Sequence, residues 1–337
     1  MQQTTFSTIE SIGREALINK IASKFPKHEE NLIYGIGDDA SVIDSTAGTK
    51  LLLSSELFTE GVDFDLTYMP IQHLGFKLVS LTVADIYAMN GKPEMILVNL
   101  GLTNKISVEM TEAFYEGIQQ ACQLYNIKLA GGDLSAAQHA VTISLTVTGT
   151  SDDPVYRSGA KQGDAICVTG DLGGAATGLM ILLREKKHWE SSGEQTMTPE
   201  LEMYEYVVRR QLVPEARKDF IEALIEHGVI PSAMIDLSKG LVSNLKEILK
   251  ASNLGGIIYE AALPISPDTR YAADELEEDI DRFVLYGGEE PELLFTLSEE
   301  DVKRFSELFK DFVVIGKTLS LNDGLKMQTA EGHRMTL

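Results

Sequence analysis

An α/β (α+β) chain of two domains is the architecture this sequence predicts, and three observations carry it. The 337 residues suffice for two domains of ordinary size, each with its own core. Strand-like and helix-like apolar patterns are mixed along the whole length. A polar turn cluster, Ser151-Asp-Asp-Pro154, falls near the middle and separates residues 1–150 from 151–337.

Residues Ile9 to Phe25 have helical spacing through Ile9, Ile12, Leu17 and Ile21. A glycine-rich acidic turn follows, Tyr34-Gly-Ile-Gly-Asp-Asp39. Lys50 to Ser55 carry Leu51, Leu52 and Leu53 and predict a strand that Glu56 closes. Ile71 to Met89 predict a long helix, apolar on most sides. A buried strand is expected at Met95 to Leu102 and an amphipathic helix at Val108 to Tyr125. Ile127 to Ala130 predict a short strand ending in Gly131-Gly132-Asp133, and Val141 to Thr150 alternate like a strand. In the second half, Ala165 to Thr169 predict a strand that turns through Gly170-Asp-Leu-Gly173-Gly174 into a helix, Ala175 to Arg184. His188 to Thr198 are polar and predict a loop. Helices are expected at Glu200 to Arg210, Glu215 to Glu226 and Leu241 to Ala251. Met234-Ile235 lead into Asp236. Leu293 to Leu297, a helix from Glu299 to Lys310, and Val313 to Ile315 complete the chain.

The net charge is -22, from 29 Lys+Arg against 51 Asp+Glu. That balance excludes nucleic acid and anionic lipid as main partners, since both need clustered cations. It leaves phosphorylated small molecules open, because Mg²⁺ can reverse the sign of a carboxylate site. Most of the charge reads as solvated surface, the Glu275 to Asp281 run included. The two cysteines, Cys122 and Cys167, sit in apolar runs, so a reducing cytoplasm is expected. Residues Met1 to Glu10 are polar and lack a leader pattern, and no apolar run approaches the roughly 18 residues a membrane span needs.

Among so many acids, position decides. Leu74, Leu78, Leu81 and Asp85 lie on one face of the long helix by the i, i+4, i+7 rule. A carboxylate on an apolar stripe needs a cation or several donors to offset its desolvation. Asp38 and Asp39, Glu56, Asp133 and Asp236 stand beside glycines or at strand ends, where ligands collect. Each alone reads more readily as a turn residue than as a ligand; together with Asp85 they point to a shared cation. Oxygen donors suit Mg²⁺ or Ca²⁺ rather than zinc. There is no P-loop, no Gly-x-Ser-x-Gly, no His-Glu-x-x-His and no His-Arg-Asp. The Gly170 to Gly174 turn either receives a phosphate at a helix N-terminus or is only a tight turn. Arg157 either pairs with phosphate or is a surface residue.

These pieces come in a recognisable order: Gly35-Ile-Gly-Asp-Asp-Ala40, Glu60-Gly61-Val62, Asp85-Ile86 with Ala88-Met89, Gly131-Gly-Asp133, Arg157-Ser-Gly-Ala160, Val168-Thr-Gly170, Asp236-Leu-Ser238 and Leu285-Tyr-Gly-Gly-Glu289. Through them nearly the whole chain resembles the thiamine-monophosphate kinases, of the aminoimidazole ribonucleotide synthetase-like superfamily. No early reactive Cys is present, which separates it from the selenophosphate synthetase branch. The resemblance implies an N-terminal sheet that forms a barrel across a homodimer, and a C-terminal α/β domain. It implies direct transfer of the γ-phosphoryl group of ATP to thiamine monophosphate, with several Mg²⁺ ions as cofactors. Asp38, Ser54, Ser55, Glu56, Asp85, Asp133 and Asp236 would hold the metal. Gly132, Asp133, Arg157, Ser238 and Tyr115 would contact ATP, and Asp63 and Glu289 the thiamine substrate. Positioning and metal ions, with Asp236 and Ser238 nearest, would replace a single catalytic base.

The chain also departs from the family pattern. Glu56 stands for an Asp, Asp63 for a His, and Thr82 and Ala84 for Asn and Ser. Lys239 replaces the second Asp of Asp-x-Ser-Asp-Gly, and Asn244 and Pro291 replace an Asp and a Tyr. Lys239 either supplies its ammonium in place of one metal or marks a homologue without turnover. Three readings therefore stay open at this point: an active kinase, a binding paralogue, and an ATP-dependent synthetase with another substrate.

Overall fold

The computed structural model describes residues 9–25, 27–28, 30–45, 48–193 and 196–337. The polar start, residues 1–8, lies outside them. The expected first helix is two short ones, α1 (Ile9–Ile12) and α2 (Arg14–Ala22), separated by Gly13 at φ 80°. Ile12, Ile18 and Ile21 stay exposed.

The first sheet comes from β1 (Leu32–Tyr34), β2 (Ser41–Asp44), β3 (Lys50–Thr59), β4 (Lys92–Leu102), β5 (Lys128–Ala136) and β6 (Thr142–Ser151), in the order β1-β2-β3-β6-β4-β5. Only β4 and β5 run parallel. Two helices cover one face, α3 (Ile71–Ala88) and α4 (Val108–Tyr125). The bounds of α4 match the expectation because both ends are capped: Ser107 accepts from the Met110 amide, and Asn126 turns left-handed at φ 56°. Glycines let α3 and α4 touch backbone to backbone. A Cβ at Gly75 would lie 2.1 Å from the Phe114 carbonyl oxygen, and one at Gly117 1.9 Å from that of Gln72.

The second sheet has the order β13-β12-β9-β11-β7-β10-β8. Its strands are β7 (Ala165–Thr169), β8 (Ala233–Leu237), β9 (Gly255–Tyr259), β10 (Glu290–Leu297), β11 (Phe312–Leu319), β12 (Leu325–Gln328) and β13 (Arg334–Thr336). The helices are α5 (Gly174–Ser192), α6 (Glu205–Leu212), α7 (Lys218–His227), α8 (Leu241–Ser252), α9 (Pro267–Glu275), α10 (Ile280–Tyr286) and α11 (Glu299–Leu308). β7, β8 and β10 are buried at every residue; β10 begins at Glu290, before the expected Leu293, because Glu290 and Glu292 are buried in ion pairs.

Several expectations need correction. β3 continues past Ser55 to Thr59, so Glu56 lies within the strand. β5 continues through Gly131-Gly132-Asp133 to Ala136. Gly132 is explained by packing, since a Cβ there would lie 1.8 Å from the Val98 carbonyl oxygen on β4. α5 runs past Arg184 to Ser192, so His188 to Ser192 are helical rather than loop. Arg, Glu and Lys are strong helix formers on a solvated face, and their polarity imitates a loop. α9, α10, β9, β12 and β13 had no clear signal; β9, for example, is short and opens with two glycines.

α3 is the seam of the molecule. It contacts β3, β4 and β6 on one side and β8 and β10 on the other. Its Val83 and Ile86 join Val98 and Val147 of the first sheet, and Cys167, Phe220 and Phe295 of the second half, in one core. A second core lies on the far face of the second sheet, around Ile166, Ile235, Leu245, Ile258 and Ile315. Among the described residues, no helix is long and apolar enough to cross a membrane.

Candidate active site

Asp85 projects from this seam, on the line of Leu74 and Leu78, and is buried. Asp236, near the end of β8, meets it from the second sheet. Asp39, from the turn before β2, completes the group. Their ligand-capable atoms all lie within 4.8 Å of one another. Ser54 on β3 donates to Asp85 Oδ2 at 2.5 Å, and Ser238 donates to Asp236 Oδ1 at 3.2 Å. β3 alternates, so Ser54 and Glu56 share the face with buried Leu52 and Phe58, toward α3. Glu56 adds its charge to Asp85 and Asp236.

Burial, followed by mutual repulsion, makes these acids reluctant to ionise. Asp85 is held well above the usual carboxylate range by burial, then by Asp236, Glu56 and Asp39. Asp236 is pushed up to about 8 by burial and by Asp39, against the pull of Arg157. Asp39 is also raised by burial, although the Arg157 guanidinium opposes it. Asp38 is raised to about 7 by burial and by Asp39.

The structure brings Asp39, rather than the expected Asp38, to the carboxylate cluster. Asp38 instead accepts the backbone N–H of Arg157, at 3.1 Å to Oδ2. A pair of adjacent acids after Gly37 offered no sequence signal for choosing between them. Arg157 is no surface residue: its side chain is 18% exposed, with Nη2 on Asp39 Oδ1 and Nη1 on Glu247 Oε2, each at 2.5 Å. Lys239 lies at the rim, where Nζ meets Glu247 Oε1 at 2.9 Å. Sequence reasoning missed Glu247, which sits inside α8 and gains meaning only from the two cations that meet on it.

Glu289 stands at φ 61° in the loop that enters β10. Its backbone N–H donates to the Ser238 carbonyl at 3.0 Å, which ties this loop to Asp236. Its Oε2 accepts Lys77 Nζ at 2.5 Å and Gln211 Nε2 at 3.1 Å. Lys77, also missed, is 2% exposed and shares the α3 face of Asp85 by the i, i+4, i+8 rule.

Other expected residues stand elsewhere. Asp63 closes its own turn, accepting the Thr59 backbone N–H at 2.7 Å. Ser55 points to the opposite face of β3, where it meets Thr146 Oγ1 at 3.0 Å. Asp133 lies beside Asn99 on that same open face. Tyr115 lines a groove on α4 with Ile118, Cys122 and Leu129.

The Gly170 to Gly174 turn is filled from within, so the phosphate reading of it is withdrawn. Glu290 Oε1 accepts the Ala175 amide at the start of α5, where an anion would have bound. Arg210 then bridges Glu290 and Glu292, and Arg217 joins Glu292 at 2.9 Å. Glu290 and Glu292 are 3% and 2% exposed as side chains. Arg210, Arg217 and Glu292 help wall a cavity of about 550 Å³ that none of the three clustered aspartates lines.

Residues 37–151 match the AIR synthase related protein N-terminal domain, and residues 161–323 match its C-terminal domain. The chain is 32% identical over 302 residues to the thiamine-monophosphate kinase of Pyrococcus abyssi, covering 88% of this chain and 86% of that protein. It is 31% identical over 273 residues to that of Aquifex aeolicus, covering 81% and 84%. The solved structure of AaThiL complexed with AMPPCP and TMP superposes with a TM-score of 0.83 at 28% identity, over 99% of this chain and 97% of that one. Because both domains match in order and the identity extends through most of each chain, this chain belongs to the thiamine-monophosphate kinase family.

Proposed function

We propose that this chain is an enzyme that moves the γ-phosphoryl group of ATP onto thiamine monophosphate, giving thiamine diphosphate, with Mg²⁺ as cofactor. The observation that carries this is the buried cluster of Asp39, Asp85 and Asp236 in the fold of that family. AMPPCP, an ATP analogue, and TMP together occupy AaThiL, and they correspond to the two reactants. The donor set fits a hard divalent ion: carboxylate oxygens only, close together, dry, and repelling one another without it. Bound Mg²⁺ would neutralise the phosphates and polarise the transferred group. The chain's own residues position. Ser54 and Ser238 orient Asp85 and Asp236, while Lys77 and Gln211 hold Glu289, the residue expected to contact the thiamine substrate.

The reading includes a division near residue 150 and a homodimer. On the open face of the first sheet, Leu57, Met95 and Leu97 are exposed large apolar residues, and β5 ends the sheet with every residue exposed. A second copy packed there would cover the apolar face and the bare edge. Ser55 and Asp133 lie on this face, so pairing would bury both expected ligands. Buried, unpaired Cys122 and Cys167 suit the cytoplasm.

A coupled ADP-release assay with thiamine monophosphate, ATP and Mg²⁺ tests the activity. No ADP would overturn it, and nucleotide binding without turnover would leave a binding paralogue. The metal assignment has its own test in stability against pH. Asp38 and Asp236 bind protons more tightly in the folded chain than in the unfolded one, so the metal-free protein loses stability as pH rises through about 7 and about 8. Between about pH 5 and about pH 8.5 the loss should amount to several kcal/mol, about 1.4 kcal/mol per pH unit for each group up to its folded pKa. Mg²⁺ should raise Tm more at the higher pH; an equal gain at both would contradict the assignment.

A further inference from the structure

We propose that Glu247 is a positioning residue that sets Lys239 and Arg157 side by side as a two-cation clamp for the polyphosphate of the nucleotide. The proposal rests on the nucleotide-site reading above. One carboxylate holds both cations: Oε2 accepts Arg157 Nη1 at 2.5 Å, and Oε1 accepts Lys239 Nζ at 2.9 Å. Arg157 continues to Asp39 through Nη2 at 2.5 Å, so the row Lys239, Glu247, Arg157 ends on the carboxylate cluster. The Lys239 backbone is itself fixed, since its N–H donates to Asn244 Oδ1 at 3.0 Å. Exposure rises along the row, from 18% at Arg157 through 23% at Glu247 to 53% at Lys239. The clamp is therefore anchored inside and open at Lys239.

Charge explains why the site needs it. Asp39, Asp85, Asp236 and Glu56 crowd one place, with Asp38 beside Asp39, and a polyphosphate approaching them meets repulsion. Arg157 and Lys239 supply the opposing charge at the entrance, and each has more N–H donors than its present acceptors use. Arginine offers a planar fork and lysine a compact, mobile charge. Left to itself, the Lys239 stem would lose much rotamer freedom on gripping phosphate. Glu247 restricts that freedom beforehand. It also keeps both cations beside the cluster, so the lysine at the second Asp position of the motif contributes to binding.

Calorimetry of the full chain with Mg²⁺ and AMPPCP, beside steady-state kinetics, tests this. Glu247→Gln should weaken nucleotide binding and raise KM for ATP about tenfold, with kcat changed less than about threefold. Lys239→Ala should lose about fivefold and Lys239→Arg should recover most of it. In the double variant, Lys239→Ala with Glu247→Gln, the loss should be smaller than the product of the single losses, because the two act as a unit. Unchanged affinity in Lys239→Ala, a half-exposed site whose variant should fold, would overturn the clamp while leaving the nucleotide site in place. If the unaltered chain bound no Mg²⁺-AMPPCP, the site reading itself would fall and the clamp with it.

Discussion

Asp85→Asn is expected to abolish Mg²⁺-dependent nucleotide binding and to lower kcat/KM by about 10²–10³-fold or more. The substitution keeps the shape of the side chain and an acceptor for the Ser54 hydroxyl. It removes a charge that burial, Asp236, Glu56 and Asp39 all oppose. In chelator, the variant should therefore melt no lower than the unaltered chain, and it should lose the Tm increase that Mg²⁺ produces. Calorimetric titration of Mg²⁺-AMPPCP and paired melts read both effects. Retained affinity would show that Asp85 is not a metal ligand, and a collapse of Tm in chelator would give it a structural role instead.

Arg210→Met is expected to destabilise the fold by about 3–5 kcal/mol. Methionine fills much of the same volume and leaves Glu290 and Glu292 without the guanidinium that bridges them. Arg217 still meets Glu292, but among the described residues Arg210 is the ion-pair partner of Glu290. Both acids are buried, so neither can recover its loss through water. Urea denaturation should show a lower midpoint with an unchanged slope. A loss below about 1 kcal/mol would mean that the glutamates protonate at little cost. The network sits beside the loop of Glu289, so substrate KM should rise in any variant that stays folded.

Much of the architecture was legible in local sequence. The bounds of α4 were visible because Ser107 and Asn126 terminate it through their own backbone chemistry. α3 was visible because Leu74, Leu78 and Asp85 recur at helical spacing, and one of them is an acid. β7 is short, apolar up to its last residue Thr169, and bounded by glycine and polar turns, so it was placed to the residue. What failed was the reading of composition as conformation. Polar α5 beyond Arg184 looked like a loop, and Gly131-Gly132 looked like the end of a strand. In the folded chain a glycine inside β5 is needed by its neighbour, β4. At the site, Asp85 could be singled out from its place on a helix face, whereas Asp236 stood out only within the order of the motifs. Asp39 could not be separated from Asp38, and Glu247 and Lys77 carried no local mark.

The sequence by itself determined the fold class and the family, and marked Asp85 as an acid on a buried face, because helical spacing, caps and motif order are properties of neighbours along the chain. Only the tertiary structure decided which carboxylates meet. It selected Asp39, turned Ser55 and Asp133 to the open face, filled the α5 terminus with Glu290, and joined Lys239 to Arg157 through Glu247. The physical reason is that desolvation and charge pairing depend on distance in space. These distances are set where α3 packs between two sheets, and nothing along the chain records them.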